Sequence, residues 1–180
     1  MPNYILASDL GSGGCKTVIL NDAGCVVASA SAEYPTYYPY AGWVEQNPDD
    51  WYRAFVQTTR QVIAQTDAAA SEIVMVGLVG VTHNTVLLDE DDRPLRNCIL
   101  TFDQRSQSQC RQILDKWGGT VFEQTMNGVS PLWTWPQLLW LKQNEADIWQ
   151  ATKRILFQKD YIRHRLAPTT ATHRGRNPVR

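Results

Sequence analysis

Three short polar segments carry residues able to do chemistry, and each stands at the end of an apolar run. The first is Asp9-Leu10-Gly11-Ser12-Gly13-Gly14-Cys15-Lys16. Glycines in a strand-to-strand turn let backbone N–H groups approach phosphate oxygens, which a Cβ would obstruct. Asp9, at the end of the incoming strand, could hold Mg²⁺ through water, and Lys16 could add positive charge near the phosphates. An ordinary glycine-rich hairpin with an exposed Asp fits the same residues. The segment matches neither a P-loop nor, for want of a following helix, a dinucleotide fingerprint.

The second segment is Gly80-Val81-Thr82-His83-Asn84, where an apolar strand ends in a polar cluster. Carboxyl ends of central strands are where α/β proteins place ligands. A lone His is more often structural than catalytic, but Thr82 and Asn84 beside it can donate and accept hydrogen bonds and so suit a hydroxyl-rich ligand. The third segment is Thr101-Phe102-Asp103-Gln104-Arg105-Ser106. Asp103 could be a helix N-cap with Arg105 its surface partner; otherwise an acid and an arginine at a strand end can hold sugar hydroxyls by charge-assisted bonds. No Gly-x-Ser-x-Gly elbow makes His83 part of a hydrolase triad, and no second His or paired carboxylate stands at metal-ligand spacing.

The elements that must position these residues are legible in part. Tyr4 to Leu10 is a strand, Lys16 to Leu20 its return, and Cys25 to Ala30 a third strand after the Asn21-Asp22-Ala23-Gly24 turn, an antiparallel meander. Asn47-Pro48-Asp49-Asp50 predicts a helix start: a side-chain N-cap, a proline at the first helical position and two acids that complement the dipole. Trp51, Ala54, Phe55, Thr58, Val62 and Ile63 follow at helical spacing. Ile73 to Val81 is apolar at nearly every position, as for a strand covered on both faces. Thr85 to Leu88 is a strand ending in the acidic turn Asp89 to Pro94. Helices are expected from about Gln104 to Trp117, stopping at Gly118-Gly119, from Thr134 through Leu141, and from Lys159 to Leu166.

Composition bounds the class. With 180 residues, 43% of them hydrophobic, the chain can bury one ordinary core. A net charge of -1 excludes a strongly basic nucleic-acid binder. Eight Lys or Arg and one acid fall between Lys153 and Arg180, but that tail lacks aromatic interleaving and any binding motif, so nucleic acid is not the expected partner. Cys15, Cys25, Cys98 and Cys110 lie too far apart for a zinc site and read as free thiols. No apolar run approaches the roughly 18 residues of a membrane span, and a cytoplasmic protein is the expectation.

Taken in order, these segments resemble the FGGY carbohydrate kinases, the xylulokinase branch above all. Asp9-Leu10-Gly11-Ser12 with Lys16 is similar to the family's first phosphate motif. Gly42-Trp43-Val44-Glu45-Gln46-Asn47-Pro48-Asp49-Asp50-Trp51 is similar to an unusually worded family segment. Leu87 to Leu95, Asp103-Gln104-Arg105-Ser106, Leu138-Leu139-Trp140-Leu141-Lys142 and Lys159-Asp160-Tyr161 extend the likeness to about residue 172. The resemblance implies an α/β, actin-like, ribonuclease-H-like lobe with a mixed sheet, an antiparallel three-strand start and flanking helices. It implies transfer of the ATP γ-phosphate, with Mg²⁺, to a small-molecule ketose or polyol. Asp9 would then position Mg²⁺ and phosphate, Gly11, Ser12, Gly13, Gly14 and Lys16 would lie near the phosphates, and Thr82, His83, Asp103 and Arg105 would contact the sugar.

The sequence also departs from the family. Xylulokinases usually carry Gln-Met-His-Gly where this chain has Val81-Thr82-His83-Asn84, and a Trp-Asn pair where it has Thr101-Phe102. After residue 172 the text becomes basic and unlike the family, so residues 1–172 read as an incomplete amino-terminal domain and 173–180 as an appended, unfolded peptide. On that expectation the catalytic base and second lobe are missing partners, the chain alone is inactive, and an exposed lobe interface favours dimerisation. A sugar-binding or interaction module without catalysis is the rival reading.

Overall fold

The computed structural model describes residues 3–167. Strands β1 (Tyr4–Leu10), β2 (Gly14–Leu20) and β3 (Val26–Glu33) form the expected meander, antiparallel throughout. β4 is the two-residue strand Glu45–Gln46, and it leads directly into α1 (Pro48–Ala64). The start of α1 follows from its first residues. Asn47 is extended, its side chain accepts the Asp49 N–H, Pro48 opens the helix, and Asp49 and Asp50 occupy the first turn. The helix lays Trp51, Ala54, Phe55 and Val62 on Leu6, Leu10, Cys15, Ile19 and Ala28 of the sheet, and these residues make the main core.

A short 3₁₀ turn at Ala70–Glu72 returns the chain to β5 (Ile73–Gly80), which runs parallel to β1 and gives the order β3-β2-β1-β5. Here the expectation of a strand covered on both faces fails. Val74, Met75, Val76 and Val79 are all at least half exposed. The cause is strand order: β5 pairs with β1 on one side, among the described residues no strand pairs on the other, and α1 packs chiefly on β2 and β3.

The second sheet adds β6 (Thr85–Leu88), β7 (Cys98–Ile99) and β8 (Arg154–Phe157) in the order β4-β7-β6-β8, all antiparallel. β6 is buried at every position. α2 spans Gln107–Thr125, α3 Thr134–Asn144, α4 Ala146–Ala151 and α5 Gln158–Leu166. The helix expected to stop at Gly118-Gly119 instead runs through both glycines and ends at Met126, which takes the left-handed conformation at φ 55°. Glycine costs a helix interior about 1 kcal/mol, a weak preference that neighbouring turns override. A Cβ on Gly118 would stand 3.4 Å from the Leu114 side chain, ordinary contact distance. Among the described residues no helix is long and apolar enough to cross a membrane. Cys15, Cys98 and Cys110 are buried free thiols and Cys25 is an exposed one. The basic segment 173–180 and the expected domain boundary at 172 lie outside the described residues.

Candidate functional site

Two of the three polar segments leave from neighbouring strand ends. β1 and β5 are parallel and in register, with Leu10 beside Gly80, so the Gly11 turn and the Val81 loop start side by side. The Val81 N–H donates to the Leu10 carbonyl at 3.3 Å and fixes that juxtaposition. Carboxyl ends of adjacent parallel strands form the crevice in which α/β proteins bind ligands.

At the turn, Asp9 and Lys16 are direct cross-strand partners, and both are exposed on the sheet face opposite α1. The Gly11 N–H donates to the Gly14 carbonyl at 2.9 Å and closes the turn. Gly14 has to be glycine: a Cβ there would stand 2.8 Å from the Ala32 carbonyl oxygen on β3. The Ser12 and Gly13 amides have no backbone acceptor among the described residues, which leaves two donors for an anion. Glycine backbone, free amides, an exposed carboxylate and an exposed ammonium fit a Mg²⁺-bound phosphate group. Beneath the turn, burial pushes the Cys15 thiol up, so it stays a neutral packing group.

At the loop, His83 is held in the left-handed region at φ 65°, an uncommon conformation for this residue that needs external support. That support comes from far away in sequence. The Trp133 ring lies parallel to the imidazole at 5.9 Å, Phe157 meets it edge-on at 6.5 Å, and Nδ1 is 3.1 Å from the Thr134 hydroxyl. The Thr85 hydroxyl donates to the His83 carbonyl at 3.1 Å. Thr82 is exposed, whereas Asn84 is buried and accepts the Thr101 N–H through its side chain, so it ties loops together. Aromatic faces beside hydroxyl and imidazole groups suit a molecule with apolar C–H faces and many hydroxyls.

Sequence reasoning missed Trp133, Thr134 and Phe157. Thr134 opens α3 and Trp133 is its cap residue, while Phe157 ends β8. A strand end and a helix start with aromatics were the available signals, and nothing local paired them with His83.

Asp103 and Arg105 form a buried knot with side chains 1% exposed. Arg105 donates to Asp103 through Nε at 2.9 Å and Nη2 at 2.7 Å, and Asp103 also accepts the Arg105 and Val44 N–H groups. Arg105 Nη2 lies 2.8 Å from Glu45, and its guanidinium stacks on Trp43 at 3.7 Å with Trp140 beyond. The pair thus pins the Gly42 to Gln46 strap to the residues after β7.

A family model described as the FGGY family of carbohydrate kinases, N-terminal domain, matches residues 4–176. The chain belongs to this family. A xylulose kinase of Bacillus subtilis (strain 168) is 35% identical over 163 residues, 91% of this chain and 33% of that protein. A xylulose kinase of Escherichia coli (strain K12) is 33% identical over 159 residues, 88% of this chain and 32% of that protein. The crystal structure of a "xyloylose kinase" from Brucella ovis superposes with a TM-score of 0.85 at 34% identity, over 90% of this chain and 34% of that one. A gluconate kinase structure from Lactobacillus acidophilus, at 23% identity and a TM-score of 0.85, shares the fold. This FGGY chain therefore has the actin-like lobe of those kinases, and it spans about a third of the length of the curated relatives it matches.

Proposed function

We propose that this chain is the sugar- and phosphate-binding lobe of an ATP-dependent kinase acting on a xylulose-like ketose or polyol. One observation carries the reading: the Asp9 to Lys16 turn and the Val81 to His83 loop emerge from adjacent parallel strands, beside each other. A phosphate donor on one and a hydroxyl acceptor on the other would meet, and holding two reactants together supplies much of the rate in phosphoryl transfer. Bound ATP with Mg²⁺ supplies the phosphoryl group.

The chain's own residues divide the work. Asp9 orients the Mg²⁺ shell, and Lys16 with the amides of Gly11 to Gly14 offsets phosphate charge. His83 and Thr82 take sugar hydroxyls, and Trp133 and Phe157 form the apolar wall. Asp103 and Arg105 serve the sugar pocket by holding its outer strap. The acceptor for the hydroxyl proton and the adenine pocket belong, on this proposal, to the remainder of a full-length kinase, so this chain by itself turns over no substrate.

Calorimetric titration of the chain with D-xylulose and related ketoses, repeated with His83→Ala, tests the assignment. Heat that vanishes in the variant, with folding intact by circular dichroism, is the expected result. Equal heat from both proteins would sink the sugar role of His83, and ADP release by the chain at the roughly 1–100 s⁻¹ of ordinary kinases would sink the division of labour.

A further inference from the structure

The sequence segment Gly42 to Trp51 stands out for its wording. Its Gln46 is completely buried, with both amide hydrogens and the amide oxygen engaged. Nε2 donates to the Ser12 carbonyl at 2.7 Å and to the Thr36 hydroxyl at 2.8 Å, while Oε1 accepts the Trp51 indole N–H at 2.8 Å. Trp51 is fully buried on α1, so the amide is anchored to the main core.

Tyr34 acts on the same turn. Its hydroxyl donates to the Gly11 carbonyl and lies 3.1 Å from the Gly14 carbonyl, and its N–H donates to the Gly13 carbonyl at 3.3 Å. Burial pushes the phenol pKa far above its usual value, so Tyr34 remains a donor at any physiological pH. Between them, Tyr34 and Gln46 donate to the carbonyl oxygens of Gly11, Ser12 and Gly13 from the protein side, and the Gly14 carbonyl accepts the Gly11 N–H. A four-residue turn whose carbonyls all accept hydrogen bonds, three of them from Tyr34 and Gln46, cannot rotate its peptides without breaking those bonds, so its two unclaimed amides, of Ser12 and Gly13, stay fixed.

We propose that Tyr34 and Gln46 are positioning residues for phosphate binding: they clamp the carbonyls of the Gly11 to Gly14 turn so that its free amides are preorganised for an anion. This rests on the phosphate reading of the turn. Neither residue touches the phosphate. Their contribution is to remove the cost of ordering the amides when the anion arrives.

The test is an amide-resolved NMR titration of the chain with inorganic tripolyphosphate and Mg²⁺, for the wild type, Tyr34→Phe and Gln46→Met. In the wild type the Ser12 and Gly13 resonances should move and saturate. Each variant should bind about five- to tenfold more weakly, the scale of one lost buried hydrogen bond. Amide shifts outside residues 9–16 and their immediate contacts should stay where they were. Tyr34→Phe removes a single oxygen and keeps the ring, so it decides the question if Gln46→Met fails to fold. Variants that bind tripolyphosphate as the wild type does would overturn the clamp while leaving the phosphate reading intact. A wild type whose turn resonances never move would overturn both. Loss of affinity accompanied by shifts across the whole sheet would reduce the two residues to general stability and overturn the positioning role.

Discussion

The Gln158 side chain and the Val81 backbone are joined across the sequence: Oε1 of Gln158 accepts the Val81 N–H at 3.0 Å. Val81 is also the residue bonded to the Leu10 carbonyl, and it immediately precedes Thr82 and His83. One buried amide therefore ties the start of α5 to the loop of the candidate sugar wall and to the end of β1. Gly80 makes room for it, since a Cβ there would stand 3.3 Å from Gln158 Oε1 and 3.3 Å from Lys159 Cβ.

Gln158→Leu should destabilise the chain by about 1–3 kcal/mol, because the Val81 donor keeps only its longer bond. Urea denaturation reads the loss, and hydrogen exchange should show the Val81 amide opening faster than its neighbours in β5. Unchanged exchange at Val81 would count against the tie.

Arg105→Leu should cost about 3–5 kcal/mol, since it leaves Asp103 a buried carboxylate without its cation and leaves Glu45 with Arg96 alone. Arg105→Lys should recover part of that stability. Lysine restores the charge but not the two parallel bonds to Asp103 or the flat stacking on Trp43. If the lysine variant proves as stable as the wild type, the fork geometry is irrelevant and charge alone holds the knot.

Alkaline stability should depend on Tyr161. Its phenol is fully buried and donates to Asp49 Oδ1 at 2.8 Å; burial and then that bond push its pKa up to about 12, with Arg165 opposing. The folded pKa lies above the ordinary value of 10, so the stability it contributes is whole below pH 10 and is lost as pH rises through about 12. In Tyr161→Phe the fall in unfolding midpoint over that window should flatten. A wild-type profile no steeper than the variant's would remove Tyr161 from the account.

β5 should make the chain self-associate. Its run from Ile73 to Gly80 carries no charge and no proline, and among the described residues it leaves one edge unpaired and several valines exposed, the features that invite strand pairing between molecules. Size-exclusion chromatography across a concentration series should show dimers or larger species, and Met75→Lys should shift them to monomer. A monomer at every concentration for the unaltered chain refutes this.

What local chemistry controls is legible in the sequence alone. Asn47, Pro48, Asp49 and Asp50 determine where α1 begins, because capping and dipole effects act within one turn. The Gly11 to Gly14 turn and the meander around it follow from the conformational freedom of glycine and the strand-forming residues on either side. The motifs running from Asp9 to Tyr161 are enough to indicate the FGGY family, whose N-terminal domain matches residues 4–176.

Tertiary structure alone decided the rest. The wall around His83 joins residues about 50 and 74 positions apart, and the shared register of β1 and β5 is what puts the turn beside the loop. The same holds for Asp103 and Arg105, whose types suit a sugar contact but whose burial closes them into a knot with Glu45 and Trp43. The sequence does not show that β5, apolar throughout, stands at an edge of the sheet formed by the described residues, because strand composition reports what a residue can bury and only the order of the sheet reports what covers it. Helix caps and turns are settled by neighbours a few bonds away; which side chains meet in the site is settled by packing across the whole lobe.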